Sequence, residues 1–185
     1  DLRLPASVGD RDDFAGCHDY RDMPHLDIVS ICTPVETHAE IACHMAAYVK
    51  AIYLEKPIAP TLEEADIIID VCKKYGTILQ VNHQRMFYRP KIRWSRGLLN
   101  NGSHAFALKR QIGYDFEMEY VDTDEYIFEI DIASDPAPHR LVLKGVEHLV
   151  KHLDKGEDYC GSGNEARQVL KEVLEYERTR QHSGE

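Results

Sequence analysis

Three short polar strings in this chain carry residue types that chemistry uses, and each directly follows a run rich in apolar residues. Thr33-Pro34 offers a hydroxyl beside a rigid turn. Glu55-Lys56-Pro57 sets a carboxylate next to an ammonium, and Asn82-His83-Gln84-Arg85 ends on a guanidinium. Arg85 presents a planar fork suited to phosphate or carboxylate, with a structural ion pair as the equal alternative. His104 brings an imidazole, a group whose ordinary pKa of about 6.5 leaves it mostly neutral at pH 7 and able to take a proton. A lysine needs its pKa lowered by roughly three units to do the same, about 4 kcal/mol at 1.36 per unit. Lys56 therefore suits binding and polarising a hydroxyl better than abstracting its proton.

Two further patterns resemble sites and weigh differently. His148 and His152 stand at i and i+4 beside Glu147, the spacing two metal ligands need on one helix. No third ligand is fixed, and Leu149 and Leu153 form the adjoining apolar stripe, so a solvated helix edge is the better reading and no metal is expected. Gly161-Ser-Gly163-Asn-Glu-Ala166 fits G-x-G-x-x-A, but a buried strand should precede a dinucleotide fingerprint. Lys155-Gly-Glu-Asp-Tyr-Cys160 precedes it instead, so the string reads as a helix start.

The elements that must position these groups follow from periodicity. Asp27 to Cys32, Ala51 to Leu54 and Thr77 to Val81 are short apolar runs of the kind found in strands covered on both faces. Between them, Ile41, Met45 and Val49 mark one face of a helix over 36–49. Thr61 and Glu64 form a capping box for a second helix that ends at Tyr75, with Gly76 as its left-handed cap. Alternation of this kind builds parallel βαβ units, and ligands of open α/β sheets bind at the carboxyl ends of the strands. The three polar strings should therefore converge on one edge. Beyond Pro90 the pattern becomes α+β: a helix from Gly97 to Ile112, strands over 116–121 and 126–132, and helices over 142–153 and 164–180, the last with Ser162 and Glu165 at capping-box spacing. The boundary falls near 94–96, giving units of 1–94 and 95–185.

The chain has 185 residues, 43% hydrophobic, with a formal net charge of −10. That charge opposes binding to a phosphate backbone, which needs Lys or Arg to neutralise it, so nucleic acid is excluded as a partner. No apolar run approaches the about 20 residues of a membrane span. Five cysteines, an odd number without a CxxC, read as reduced thiols. With no apolar signal region in the sequence, a cytoplasmic location is expected.

The string Asp27-Ile-Val-Ser-Ile-Cys-Thr-Pro34, then His38, Glu55-Lys-Pro57, and Val81-Asn-His-Gln-Arg85 with Phe87 and Pro90, resembles the glucose-fructose oxidoreductase / inositol dehydrogenase (Gfo/Idh/MocA) family. Gly97-Leu-Leu-Asn-Asn-Gly-Ser-His104 is similar to that family's catalytic helix, and 162–183 to its closing helix. The resemblance implies an α/β protein: a partial Rossmann-like parallel sheet, then a partial α+β substrate domain. It further implies hydride transfer between NAD or NADP and a sugar, polyol or related alcohol, in a homo-oligomer. It places the catalytic lysine on Lys56 and the histidine on His104. Asn100, one helical turn before His104, stands where the family has an aspartate. Asparagine still hydrogen-bonds but cannot stabilise an imidazolium by charge. Thr33, Pro34 and His38 correspond to the loop that lines the cofactor, and Glu55, Lys56, Pro57, Asn82 and Arg85 complete the expected cofactor contacts.

The departures are a missing Gly-rich turn ahead of the first strand, and a direct passage at 94–97 into the catalytic helix where the family inserts the start of its second domain. They leave a second reading, a catalytically incompetent relative or fragment that binds a small molecule or a protein.

Overall fold

A computed structural model describes residues 19–83, 103–112, 117–121, 125–129, 141–153 and 161–181. Three parallel strands form its centre: β1 (Ile28–Ile31), β2 (Ala51–Glu55) and β3 (Ile78–Asn82), in that spatial order. Helix α1 (His38–Met45) connects the first pair and α2 (Leu62–Tyr75) the second. The register sets Ile31 opposite Leu54, Leu54 opposite Val81, and Glu55 opposite Asn82. All three strands thus reach the same edge together.

Strand side chains alternate between two layers. Val29, Ile31, Ile52, Leu54, Leu79 and Val81 point into the main core. They meet Ala42 and Met45 of α1, Ala65, Ile68 and Ile69 of α2, and Ala166 and Leu170 of α5 (Gly163–Gln181). The opposite face carries Ala51 and Tyr53 against Leu149 of α4 (Leu141–His152). Ile52, Leu54 and Ile68 are fully buried, worth about 1.5–3 kcal/mol each relative to exposure. The helices α4 and α5, which follow the sequence boundary at 94–96, therefore cover both faces of the sheet that precedes it. The boundary itself lies outside the described residues. The remaining elements are α3 (Ser103–Ile112) and the antiparallel pair β4 (Glu117–Val121) and β5 (Glu125–Glu129).

The caps read from the sequence are present. Thr61 Oγ1 accepts the Glu64 amide at 3.2 Å, and Gly76 adopts φ 71°. Ser162 Oγ accepts the Glu165 amide at 3.3 Å. Helix α1 is shorter than its apolar spacing implies, because distant partners close it early. The Thr77 hydroxyl donates to the Ala46 carbonyl at 2.5 Å, while the Lys50 and Ala51 amides both turn to the Asp27 carbonyl. Those bonds pull the chain out of the helix and into β2.

Gly145 is the point of closest approach between α4 and the sheet. A Cβ there would lie 2.0 Å from the Tyr53 hydroxyl and 2.9 Å from Cζ. Alanine gains up to about 1 kcal/mol of helix propensity over glycine, but the overlap with a buried ring outweighs it. Gly145→Ala should destabilise the fold by about 1–3 kcal/mol net, read as a lower urea midpoint. Tyr53→Phe in the same background should recover part of the loss by removing the nearest atom.

Candidate functional site

The carboxyl edge of the sheet brings together Thr33-Pro34 after β1, Lys56-Pro57 after β2 and His83 after β3. His38, the first residue of α1 and buried to 1% exposure, ties two of these loops together. Its Nδ1 lies 3.0 Å from the Pro57 carbonyl and its Nε2 lies 2.9 Å from the Thr33 carbonyl. Both partners are acceptors, so a ring with one proton donates to one carbonyl and a ring with two donates to both. Thr37 adds to the same brace by donating its hydroxyl to Thr33 Oγ1 at 2.8 Å.

A second chain of hydrogen bonds runs from beneath the sheet to Lys56. The Tyr53 hydroxyl donates to Asn82 Oδ1 at 2.5 Å, and Asn82 Nδ2 donates to Glu55 Oε1 at 2.6 Å. The other Glu55 oxygen accepts the Lys56 amide at 3.3 Å. Burial, reinforced by the Glu55 carboxylate, raises the Tyr53 pKa, so its hydroxyl stays a donor. That fixes which end of the Asn82 amide faces Tyr53 and leaves the amide nitrogen for Glu55. Gln80, one pleat earlier, is equally committed: Nε2 donates to the Gly145 carbonyl at 2.8 Å and Oε1 meets His148 Nδ1 at 3.1 Å.

His83 is a buried imidazole that directly follows β3 at this edge. It is 1% exposed, and among the described residues neither ring nitrogen has a hydrogen-bond partner. Burial, with the Lys56 charge adding to it, pushes its pKa down to about 3. The His104 ring stands edge to face with it at 6.1 Å. His83 thus feels the Lys56 charge and stands against the His104 ring, groups 48 residues apart in sequence. His104 is itself 3% exposed and lies in the first turn of α3. Arg110 on that helix pairs with Glu165 and Glu172 of α5 at 3.2 and 2.9 Å.

Several sequence expectations meet particular positions. Thr33, Pro34, Glu55, Lys56, Pro57 and Asn82 share the edge, while His38 lies behind it with both nitrogens engaged by main-chain carbonyls rather than turned toward a ribose or phosphate. Arg85 and Asn100 lie outside the described residues, as do Cys17 and Cys160. Cys32, Cys43 and Cys72 are free thiols. His148 bonds Gln80, and His152 Nδ1 lies 2.7 Å from the His148 carbonyl. The glycines of 161–163 meet β3: the Gly161 carbonyl accepts the Val81 amide at 2.7 Å, and a Cβ on Gly163 would lie 2.7 Å from Leu79. They serve close packing and a helix start. His83 and Tyr53 were not singled out from sequence. For His83 the one available signal was its place directly after a strand, at an edge already suspected of binding a ligand.

Among the described residues no helix is long and apolar enough to cross a membrane. A surface groove of about 400 Å³ between Leu26, Val49, Lys50 and Tyr75 lies at the opposite, amino-terminal edge of the strands.

Residues 6–83 match the family model described as the oxidoreductase family with NAD-binding Rossmann fold, Gfo/Idh/MocA. The chain is 33% identical over 87 residues to an uncharacterized oxidoreductase, YrbE, of Bacillus subtilis, covering 45% of this chain and 25% of that protein. It is 32% identical over 72 residues to the myo-inositol 2-dehydrogenase of Thermotoga maritima, covering 39% and 22%. The match thus spans about a quarter of the length of these relatives. Among solved structures, an oxidoreductase from Agrobacterium radiobacter in complex with NAD+, L-tartaric acid and magnesium superposes with a TM-score of 0.63 at 14% identity, covering 82% of this chain and 77% of that one. Over residues 6–83 the chain thus resembles the NAD-binding Rossmann part of that oxidoreductase family.

The buried state of His83 has a measurable consequence for stability. The ordinary value is 6.5 and the folded value about 3, so between those limits the unfolded chain binds a proton that the folded chain does not. Its contribution to stability is fully present above pH 6.5 and is lost as pH falls toward 3. The slope approaches about 1.36 kcal/mol per pH unit from this one group. Urea midpoints measured from pH 7 down to pH 4 should fall less steeply for His83→Phe than for the wild type.

Proposed function

We propose that this chain is part of an NAD(P)-dependent dehydrogenase of the Gfo/Idh/MocA type that moves hydride between nicotinamide and a hydroxyl carbon of a sugar, polyol or sugar-derived alcohol. The observation that carries the reading is the neighbourhood of Lys56, His83 and His104 at the carboxyl edge of a parallel sheet. An ammonium and two imidazoles gathered there are a donor set for a hydroxyl and its proton. The nicotinamide ring supplies the hydride acceptor when the dinucleotide is bound.

The residues at this edge fit such a group. Among the described residues the buried His83 ring nitrogens lack partners, a demand that a polar ligand or ordered water meets, and the adjacent strand ends offer Thr33, Pro34, Glu55 and Pro57 to hold the dinucleotide. His38 sets the distance between the Thr33 and Pro57 loops. Lys56 donates a hydrogen bond to the substrate hydroxyl and so eases loss of its proton, its main chain held by Glu55. His104 takes that proton on an imidazole nitrogen. Asn100 and Arg85, outside the described residues, are assigned from the sequence alone, the first as an uncharged partner for the histidine and the second for a phosphate. The myo-inositol 2-dehydrogenase match favours an uncharged polyol.

NADH fluorescence titrated with the full-length protein should saturate. Lys56→Ala and His104→Ala should each lower turnover by at least about 10²-fold, the scale of lost general acid–base assistance. His104→Ala should leave the NADH dissociation constant within about twofold. Wild-type turnover in either variant would overturn these roles.

A further inference from the structure

We infer that Tyr53 and Asn82 are positioning residues for Lys56: acting through the Glu55 carboxylate, they fix where the lysine main chain leaves β2 and so where its ammonium meets the substrate. This rests on the dehydrogenase reading and deepens it.

The two faces of the sheet differ in kind. Ile52, Leu54, Leu79 and Val81 give the main core an apolar face. The alternate positions, Tyr53 and Glu55 on β2 with Gln80 and Asn82 on β3, make the face under α4 polar. Tyr53 and Asn82 are 2% and 1% exposed, yet replacing both partners of a buried hydrogen bond by apolar groups of like shape can be nearly neutral for stability. Holding the sheet together therefore does not by itself call for this pair. What the pair does reach is the end of β2.

Its donors and acceptors fit in one order. The Glu55 carboxylate only accepts, so the Asn82 amide turns Nδ2 toward it at 2.6 Å and leaves Oδ1 for a donor. The Tyr53 hydroxyl is that donor, 2.5 Å away, and burial together with the Glu55 charge keeps its proton in place. The second Glu55 oxygen then accepts the Lys56 amide at 3.3 Å. Because Glu55 stands directly opposite Asn82 in the parallel register, this link crosses between the strands where β2 gives way to Lys56-Pro57. On the far side of the lysine, the Pro57 carbonyl lies 3.0 Å from His38 Nδ1. The Lys56 main chain is thus held both before and after the side chain that carries the charge. Removing the Tyr53 hydroxyl takes the donor from Asn82 Oδ1. An amide free to invert sets that oxygen against the carboxylate and releases Glu55 from the strand.

The test uses the full-length protein labelled with nitrogen-15, in which the Lys56 amide signal reports its bond to Glu55. Tyr53→Phe keeps the ring and removes only the hydroxyl; it should shift the Lys56 amide proton upfield and move the Asn82 side-chain amide signals. Asn82→Leu should shift the Lys56 signal in the same direction, and adding Tyr53→Phe to it should shift that signal no further, since both act through one carboxylate. With NAD+ and whichever of myo-inositol and D-xylose the wild type oxidises, Tyr53→Phe should lower kcat/KM about tenfold, the scale of one hydrogen bond. Its NADH dissociation constant should stay within about twofold. A Lys56 signal that Tyr53→Phe leaves in place would overturn the proposal, as would shifts that add in the double variant, or wild-type turnover in a variant whose Lys56 signal has moved. Failure of the wild type to bind NADH would instead overturn the dehydrogenase reading, and the Lys56 amide would still decide whether Tyr53 acts through Glu55.

Discussion

The parallel register of three strands is the constraint on which the rest of the site depends. With Leu54 opposite both Ile31 and Val81, main-chain hydrogen bonding alone delivers Thr33, Lys56 and His83 to a common edge. A slip of one residue would turn every side chain to the other face. It would move Ile52 and Leu54 out of the main core and Tyr53 away from Asn82. The apolar core therefore holds the polar edge in place. The loops are then pinned to the strands by part-buried bonds, His38 to Thr33 and Pro57 on one side, Asn82 to Glu55 on the other. Such fixed, desolvated donors are the arrangement in which electrostatic interactions act most strongly.

The same burial that strengthens those bonds makes the edge selective about charge. Lys56 is partly exposed and keeps access to water, whereas His83 beside it is sealed. In that setting one cation suppresses the next, and the imidazole stays neutral while the ammonium persists. Two basic side chains at one edge thereby hold different charge states. Tyr53 shows the same principle with an acid: burial beside Glu55 keeps its proton on and so orients Asn82.

What was legible in the sequence was what local chemistry decides. Thr61 with Glu64, Gly76, and Ser162 with Glu165 cap their helices because each signal lies within a turn of the groups it satisfies. The three strands and their polar ends were legible because a run buried on both faces has few alternatives. What distant partners decide was not. Helix α1 stops early because Thr77 reaches back to Ala46 from 31 residues away. The burial of His83, and hence its importance, depends on α3 arriving with His104 from beyond the boundary. Nothing in the string Asn82-His83-Gln84-Arg85 distinguishes a sealed imidazole from a solvated one. The spacing of His148 and His152 was equally ambiguous until Gln80 took one of them.

How α3 comes to hold His104 in place is decided by packing rather than by charge. Arg110 bridges α3 to Glu165 and Glu172, and Arg167 makes a bidentate pair with Asp66 of α2. These side chains remain 27% to 48% exposed, and pairs so wetted contribute about 0–1 kcal/mol each. Beneath them, Val169 and Val173 are buried on the helical face that also carries Glu165, Glu172 and Tyr176. Phe106 and Ala107 are buried on α3, with the Phe106 ring 6.1 Å from that of Tyr176. Full burial of side chains of this size is worth about 1.5–3 kcal/mol apiece. A quarter turn around α5, Ala166 and Leu170 enter the main core under β3. One helix thus presents one apolar face to the sheet that carries Lys56 and another to the helix that carries His104. The body of α5 thereby links the sheet that carries Lys56 to the helix that carries His104.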